Sequence, residues 1–245
     1  MKLGALFDWD GVVIDSSKAH EESWDLLGDE VGKPLPEGHF KKGFGRKNQV
    51  IIPEILGWTN DSEEIERLGN RKEALYREIV AEKGVDRIPG IEAFLQNLNA
   101  VGIGCAVGSS TPRKNVETIL EMVGFGPYFQ AIVCAEDVTQ GKPNPEVFLT
   151  GASKLGLEVG NCAVFEDAYA GLQAAKAGGM KAIALSTTHP AEALKAESPD
   201  LILENFLGFE FEKFSHLFKR RSTQINTEKN SDFPNYSCSL VSIRG

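Results

Sequence analysis

Four short motifs carry the residues of this sequence that could do chemistry. The first is Phe7-Asp8-Trp9-Asp10-Gly11-Val12, which sets two carboxylates one residue apart at the end of an apolar run. In an extended chain, alternate side chains project to the same side. Asp8 and Asp10 then repel one another and need a cation or a shared proton, unless the segment is simply a solvated acidic turn. A calcium loop of the EF-hand type fails on spacing, because Val13 and Ala19 stand where its glycine and glutamate belong.

The second motif is Val107-Gly108-Ser109-Ser110-Thr111. Hydroxyls beside free backbone N–H groups ahead of a helix hold a phosphate oxygen, or merely cap the helix. Gly102, Gly104 and Gly108 do not make a dinucleotide loop, since the first two precede or enter the strand. The third motif, Gly141-Lys142-Pro143-Asn144-Pro145, presents a lysine in a stiff loop. Its ammonium could offset both a phosphoryl group and an attacking carboxylate; the alternative is a solvated loop lysine. The fourth, Phe165-Glu166-Asp167-Ala168-Tyr169-Ala170-Gly171, offers hard oxygen ligands of the kind magnesium prefers, with helix capping by Asp167 as the alternative.

The elements that must position these motifs follow from hydrophobic patterning. Leu3–Phe7, Ile103–Val107, Ala131–Cys134, Ala163–Phe165 and Ala182–Leu185 read as buried parallel strands. Ile91–Ala100, Arg113–Val123, Pro145–Leu155 and Leu172–Ala177 have helical spacing, with Asn144 as N-cap and Pro145 at the first helical position. The alternation predicts an α/β fold with a doubly wound, mostly parallel sheet. From about Ser16 to Arg87 no strand is apparent, only charged amphipathic stretches such as Ser62–Lys83. The expected division is a core of residues 1–15 and 88–218, a helical cap over 16–87, and a polar, disordered tail over 219–245.

All four motifs fall at or just after the carboxyl ends of separate predicted strands. In that order they resemble the haloacid dehalogenase-like superfamily, in the subgroup with a helical cap after the first motif. The resemblance covers about Met1 to Phe218. It implies that Asp8 is the nucleophile toward phosphorus and Asp10 the general acid/base. It further implies that Ser109, Ser110 and Lys142 hold the phosphate. Magnesium would be held by Asp8, the Asp10 backbone carbonyl and Asp167, with Glu166 in support. The chemistry is self-consistent: a carboxylate attacks a phosphate dianion only when its charge is offset. The dehalogenases generally lack the second aspartate, so Asp10 argues for phosphoryl transfer.

Within the cap, Lys42-Gly43-Phe44-Gly45-Arg46 is similar to the Lys-Gly-x-x-Arg element that binds the remote phosphate in β-phosphoglucomutases. His20 and Lys72 also fall at positions similar to functional ones there. The plain readings are a solvated basic turn, a packing histidine and a solvated helix lysine. Ser16-Ser17 replaces the threonine common at the mutase hinge, and Gly-Ser-Ser-Thr-Pro around Ser109 looks more like sugar-phosphate phosphatases. The expected function is therefore a phosphatase of a sugar or polyol phosphate, with a mutase as alternative and a non-catalytic phospho-ligand binder as a remote one.

Composition narrows the partners. Net charge is -9; the segment from Lys219 onward, with five basic and two acidic residues, is +3, leaving the body at -12. So acidic a body repels nucleic-acid backbones, while small anionic substrates stay open to a locally basic pocket; the partner that the resemblance implies is a small phosphorylated metabolite. No apolar stretch approaches the roughly 20 residues of a membrane span, and Asp8 and Asp10 come too early for a signal peptide. The four cysteines lack C-x-x-C spacing. A cytoplasmic monomer is expected.

Overall fold

The computed structural model describes residues 2–218. Its strands are β1 (Gly4–Phe7), β2 (Ile14–Asp15), β3 (Asp86–Arg87), β4 (Gly104–Gly108), β5 (Ala131–Val133), β6 (Cys162–Glu166), β7 (Lys181–Leu185) and β8 (Leu201–Leu203). Six of them form a parallel sheet in the order β5-β4-β1-β6-β7-β8. The helices are α1 (Ser17–Val31), α2 (His39–Gly43), α3 (Asn48–Val50), α4 (Ser62–Lys83), α5 (Ile91–Ala100), α6 (Arg113–Val123), α7 (Glu146–Lys154), α8 (Tyr169–Ala177), α9 (Ala191–Leu194) and α10 (Phe211–His216).

The sheet is doubly wound because its strands are apolar on both faces. Ala5, Phe7, Cys105, Val107, Ala163 and Phe165 point into one core layer with α5, α6 and α10. Leu6, Ala106, Val133, Val164 and Ala182 point into the opposite layer with α7 and α8. Phe7 anchors the first layer, stacked on Phe165 with ring centroids 4.7 Å apart and fully buried. Truncating it to alanine would cost about 3–5 kcal/mol in lost burial and cavity.

Residues 17–83 contribute no strand to this sheet. Their helices enclose a separate apolar cluster built on Trp24, Leu27, Ile52, Leu68 and Leu75, with α1 packed along α4. The chain enters and leaves this helical unit through an antiparallel ribbon in which Ile14 pairs with Arg87 and Asp15 with Asp86. Asp61 caps α4 by accepting the Glu64 N–H at 2.8 Å.

Several boundaries differ from the sequence reading. Asp86–Arg87 is a strand in a region expected to have none, and β8 was not anticipated. Pro145 itself is the N-cap of α7; Asn144 stands one residue earlier and accepts the Glu146 N–H through Oδ1 at 3.0 Å. Helix α8 starts three residues before the expected Leu172. The expected tail over 219–245 lies outside the described residues. No helix among the described residues is long and apolar enough to cross a membrane. Cys105, Cys134 and Cys162 are buried free thiols, and burial pushes the first two up to about 12.

Candidate active site

The four motifs converge at the carboxyl edge of the sheet, because β1, β4 and β6 are in register and end together. Phe7 is paired with both Val107 and Phe165. The Asp8 N–H continues the ladder to the Phe165 carbonyl at 2.9 Å, which aims its side chain off the strand end. Lys142 Nζ reaches across and donates to Asp8 Oδ1 at 2.6 Å and to Glu166 Oε1 at 2.7 Å. All three groups are buried, so the lysine of the third motif is not a solvated loop residue.

Glu166 is fixed on its other side, where Oε2 accepts the Asp167 and Ala168 N–H groups, both at 2.9 Å. Asp167 does not cap α8, whose N-cap is Ala168; one carboxylate oxygen instead accepts the Thr188 hydroxyl. The other oxygen, Oδ1, is buried without a partner. Asp8, Glu166 and Asp167 each offer an oxygen, and these atoms lie within 4.8 Å of one another. Three carboxyls face one ammonium there. Burial, then Glu166 and Asp10, push Asp8 up to about 7 against the pull of Lys142. Burial, then Glu166 and Asp8, also raise Asp167. A hard divalent cation fits this set: it would occupy the bare oxygen and offset the surplus negative charge.

Two glycines make room for these carboxylates. Gly11 sits at φ 76°, and a Cβ there would stand 2.0 Å from Asp167 Oδ2. At Gly171 a Cβ would stand 1.7 Å from Glu166 Oε1. Any larger residue at either position would displace a candidate ligand.

Asp10 has a different environment. Its Oδ1 accepts the Ser16 hydroxyl at 2.5 Å and faces His20 Nε2 at 3.1 Å, while Oδ2 accepts the Thr111 hydroxyl at 2.5 Å. Burial pushes this carboxyl up, but His20 and the two hydroxyl donors outweigh it and hold it at about 2. Ser109 is buried beside Thr111, whose N–H donates to Ser109 Oγ at 3.0 Å.

Above these groups is a cavity of about 790 Å³ whose walls come from both core and helical unit. Ser109, Ser110 and Thr111 of the core and Gly43, Arg46 and Lys72 of the helical unit are among the residues that line it. Lys42 is exposed and does not line it, so of the expected basic pair only Arg46 faces the cavity. Lys72 is 3% exposed, contrary to the reading of a solvated helix face, and His20 is 8% exposed, as a packing histidine would be. The His20 ring lies stacked on Tyr76 at 3.9 Å, and the Lys72 ammonium is 5.4 Å from the centre of the Trp24 ring.

Sequence reasoning assigned no role to Lys47, Glu73, Asn115 or Thr188, and it placed Ser16 only at the hinge and Thr111 only within the second motif. Thr188 could have been found by the rule that found the others, since it follows strand β7 at the same sheet edge. Lys47 extends from the helical unit to donate to the Ala135 and Val138 carbonyls of the core at 2.7 and 3.0 Å.

Comparison with known proteins agrees with this geometry. Residues 3–179 match the family model for the haloacid dehalogenase-like hydrolases. The chain belongs to this family. It is 35% identical over 197 residues to the chloroplastic 5-amino-6-(5-phospho-D-ribitylamino)uracil phosphatase of Arabidopsis thaliana, covering 79% of this chain and 52% of that protein. The chain thus spans about half the length of that relative. It is 31% identical to the validoxylamine A 7'-phosphate phosphatase of Streptomyces hygroscopicus subsp. limoneus, covering 82% of this chain and 92% of the relative. Among solved structures, the β-phosphoglucomutase of Clostridium difficile superposes with a TM-score of 0.79 at 26% identity, covering 89% of this chain and 97% of that one. This member of the family is an enzyme with the doubly wound fold of its structural relatives.

Proposed function

We propose that this hydrolase removes the phosphoryl group from a small sugar or polyol phosphate, with magnesium as cofactor and a phosphoaspartate on Asp8 as intermediate. The observation that carries the reading is the Lys142 bridge between Asp8 and Glu166, beside an Asp167 oxygen left bare in the interior. Asp8, Asp167 and the Asp10 backbone carbonyl would hold the metal, with Glu166 in support; the ion would supply charge compensation at the phosphoryl oxygens.

The chain's own groups account for the remaining steps. Lys142 holds Asp8 Oδ1 and steadies the carboxylate for attack on phosphorus, while Ser109 and the Ser110 N–H hold non-bridging phosphate oxygens. Asp10, a carboxylate at rest, first takes the proton of the bound monoester monoanion; as the Asp8–phosphorus bond forms, the ester bond breaks and the leaving alkoxide takes that proton from Asp10. Asp10, again a carboxylate, then removes a proton from water, whose oxygen attacks phosphorus and frees Asp8. The hydroxyl donors from Ser16 and Thr111 aim Asp10 in both steps. The two phosphatase relatives, named for a phospho-D-ribitylamino uracil and for validoxylamine A 7'-phosphate, support a small phosphorylated substrate, and the ribityl group of the first supports a polyhydroxylated one.

A mutase reading is favoured by one observation, that Arg46 of the helical unit lines the same cavity as Ser109 and Ser110, where it would suit a second phosphate. One assay separates the two: turnover of a panel of sugar and polyol phosphates, with and without magnesium. The panel includes β-glucose 1-phosphate with a trace of glucose 1,6-bisphosphate. Magnesium-dependent release of inorganic phosphate from several esters is the expected result. Isomerisation to glucose 6-phosphate without phosphate release would replace the phosphatase reading with the mutase one.

A further inference from the structure

Asp10 is contacted through a line of buried side chains that begins in the core, passes through the helical unit, and returns. Its far end is Asn115 on α6, fully buried. Asn115 Nδ2 donates to Glu73 Oε2 at 2.5 Å, and its Oδ1 accepts from Arg77 at 2.6 Å, so the amide is held at both ends. Glu73 lies on α4, only 6% exposed, and its Oε1 accepts from Asn48 at 2.8 Å and from Lys72 Nζ at 3.1 Å. Lys72 Nζ in turn meets His20 Nδ1 at 2.6 Å.

The chemistry of these groups sets the direction of the relay. An ammonium has only protons to give, so His20 Nδ1 must accept. The ring proton is then on Nε2, the atom that faces Asp10 Oδ1. A buried ammonium persists only beside a carboxylate, and Glu73 is the one in contact with it. Without the Glu73 carboxylate, Lys72 loses the ion pair that holds it against Nδ1, and nothing then assigns the His20 proton to Nε2.

Resting on the phosphatase reading above, we propose that Glu73 is a positioning residue for Asp10. It fixes Lys72, and through it the His20 tautomer whose N–H orients the Asp10 carboxylate. Asn115, from the core, holds the far oxygen of Glu73 and so fixes the carboxylate that fixes Lys72.

Two measurements on the full chain test this. Nitrogen-15 NMR of the imidazoles, with the His20 signals assigned by their absence in His20→Asn, is expected to show the Nε2–H tautomer in the wild type. Glu73→Gln is expected to give a mixture of tautomers. With p-nitrophenyl phosphate and saturating magnesium, Glu73→Gln should lower kcat about tenfold or more while KM moves little, within the range that acid/base positioning contributes. In the His20→Asn background, Glu73→Gln should lower kcat less than about twofold further, since both act through one contact. Unchanged His20 signals, or a full additive loss in the double variant, would overturn the proposal. If Glu73→Gln does not fold, Asn115→Ala is the second variant and should move the same signals in the same direction. Absence of phosphate release by the wild type would sink the phosphatase reading alone, because the imidazole signals judge Glu73 without substrate.

Discussion

Asp8 and Asp10 stand two residues apart, yet their surroundings are built on opposite terms. On the core side, Asp8 shares Lys142 with Glu166, and Asp167 keeps an oxygen that nothing satisfies. On the cap side, both Asp10 oxygens are occupied, and Glu73, Lys72 and Asn115 are paired in turn. The titration directions follow: burial and like charge raise Asp8 and Asp167. Donors outweigh burial and lower Asp10 and Glu73. A buried site left short of positive charge is prepared for a ligand, whereas a saturated one stores geometry.

The contrast can be broken at several points. The largest effect is expected from Asp8→Asn, which removes the proposed nucleophile while nearly preserving shape. Turnover should fall about a thousandfold or more with the far-UV circular dichroism unchanged. Retained activity would move the chemistry elsewhere. Next, Thr188→Ala frees the Asp167 carboxylate to rotate, and magnesium affinity by calorimetry should weaken about tenfold. No change would mean that Asp167 is held by its backbone alone.

The pH dependence of stability sharpens the comparison further. Asp8 is raised from 3.8 to about 7 in the fold, so the folded state holds that proton more tightly than the unfolded chain. Its contribution is full below about 4 and is lost as pH rises toward about 7. The metal-free protein should therefore show a falling Tm across that window, and saturating magnesium should flatten the curve. A metal-free profile that rises there would contradict the charge surplus. The smallest effect is expected from Lys47→Ala, which deletes two hydrogen bonds between cap and core. A loss of about 1–2 kcal/mol by urea unfolding is expected, with KM raised a few-fold.

How much of this was legible depended on whether a residue's partners were near in sequence. The central strands β1, β4, β6 and β7 announced themselves because burial on both faces leaves an unbroken apolar run. Helices α4, α5 and α6 agree with the sequence reading to the residue, each flanked by a capping aspartate, a glycine or a proline. Strand β8 was missed because it is three half-exposed residues at a sheet edge. The motif residues at strand ends were legible for the same local reason as the strands. Glu73 was not, and Lys72 was reached only through the resemblance, since on α4 they are two charges among many. Packing against Tyr76 of the same helix, and against Trp24 and Asn115 from distant segments, makes them interior.

The β2–β3 ribbon has a consequence for how the chain is assembled as it is synthesised. Strand β1 is made first and becomes the middle of the sheet, but its Gly4 must wait for Gly104 and then Cys162. In the interval its apolar residues have no edge to join. Helices α1 and α4 can pair with each other well before that, from segments closer together in the chain. Their pairing brings Asp15 beside Asp86 and shortens a span of some seventy residues to one ladder step. The cap then serves the nascent chain as a splint, holding the first strand beside the point where the rest of the sheet will emerge.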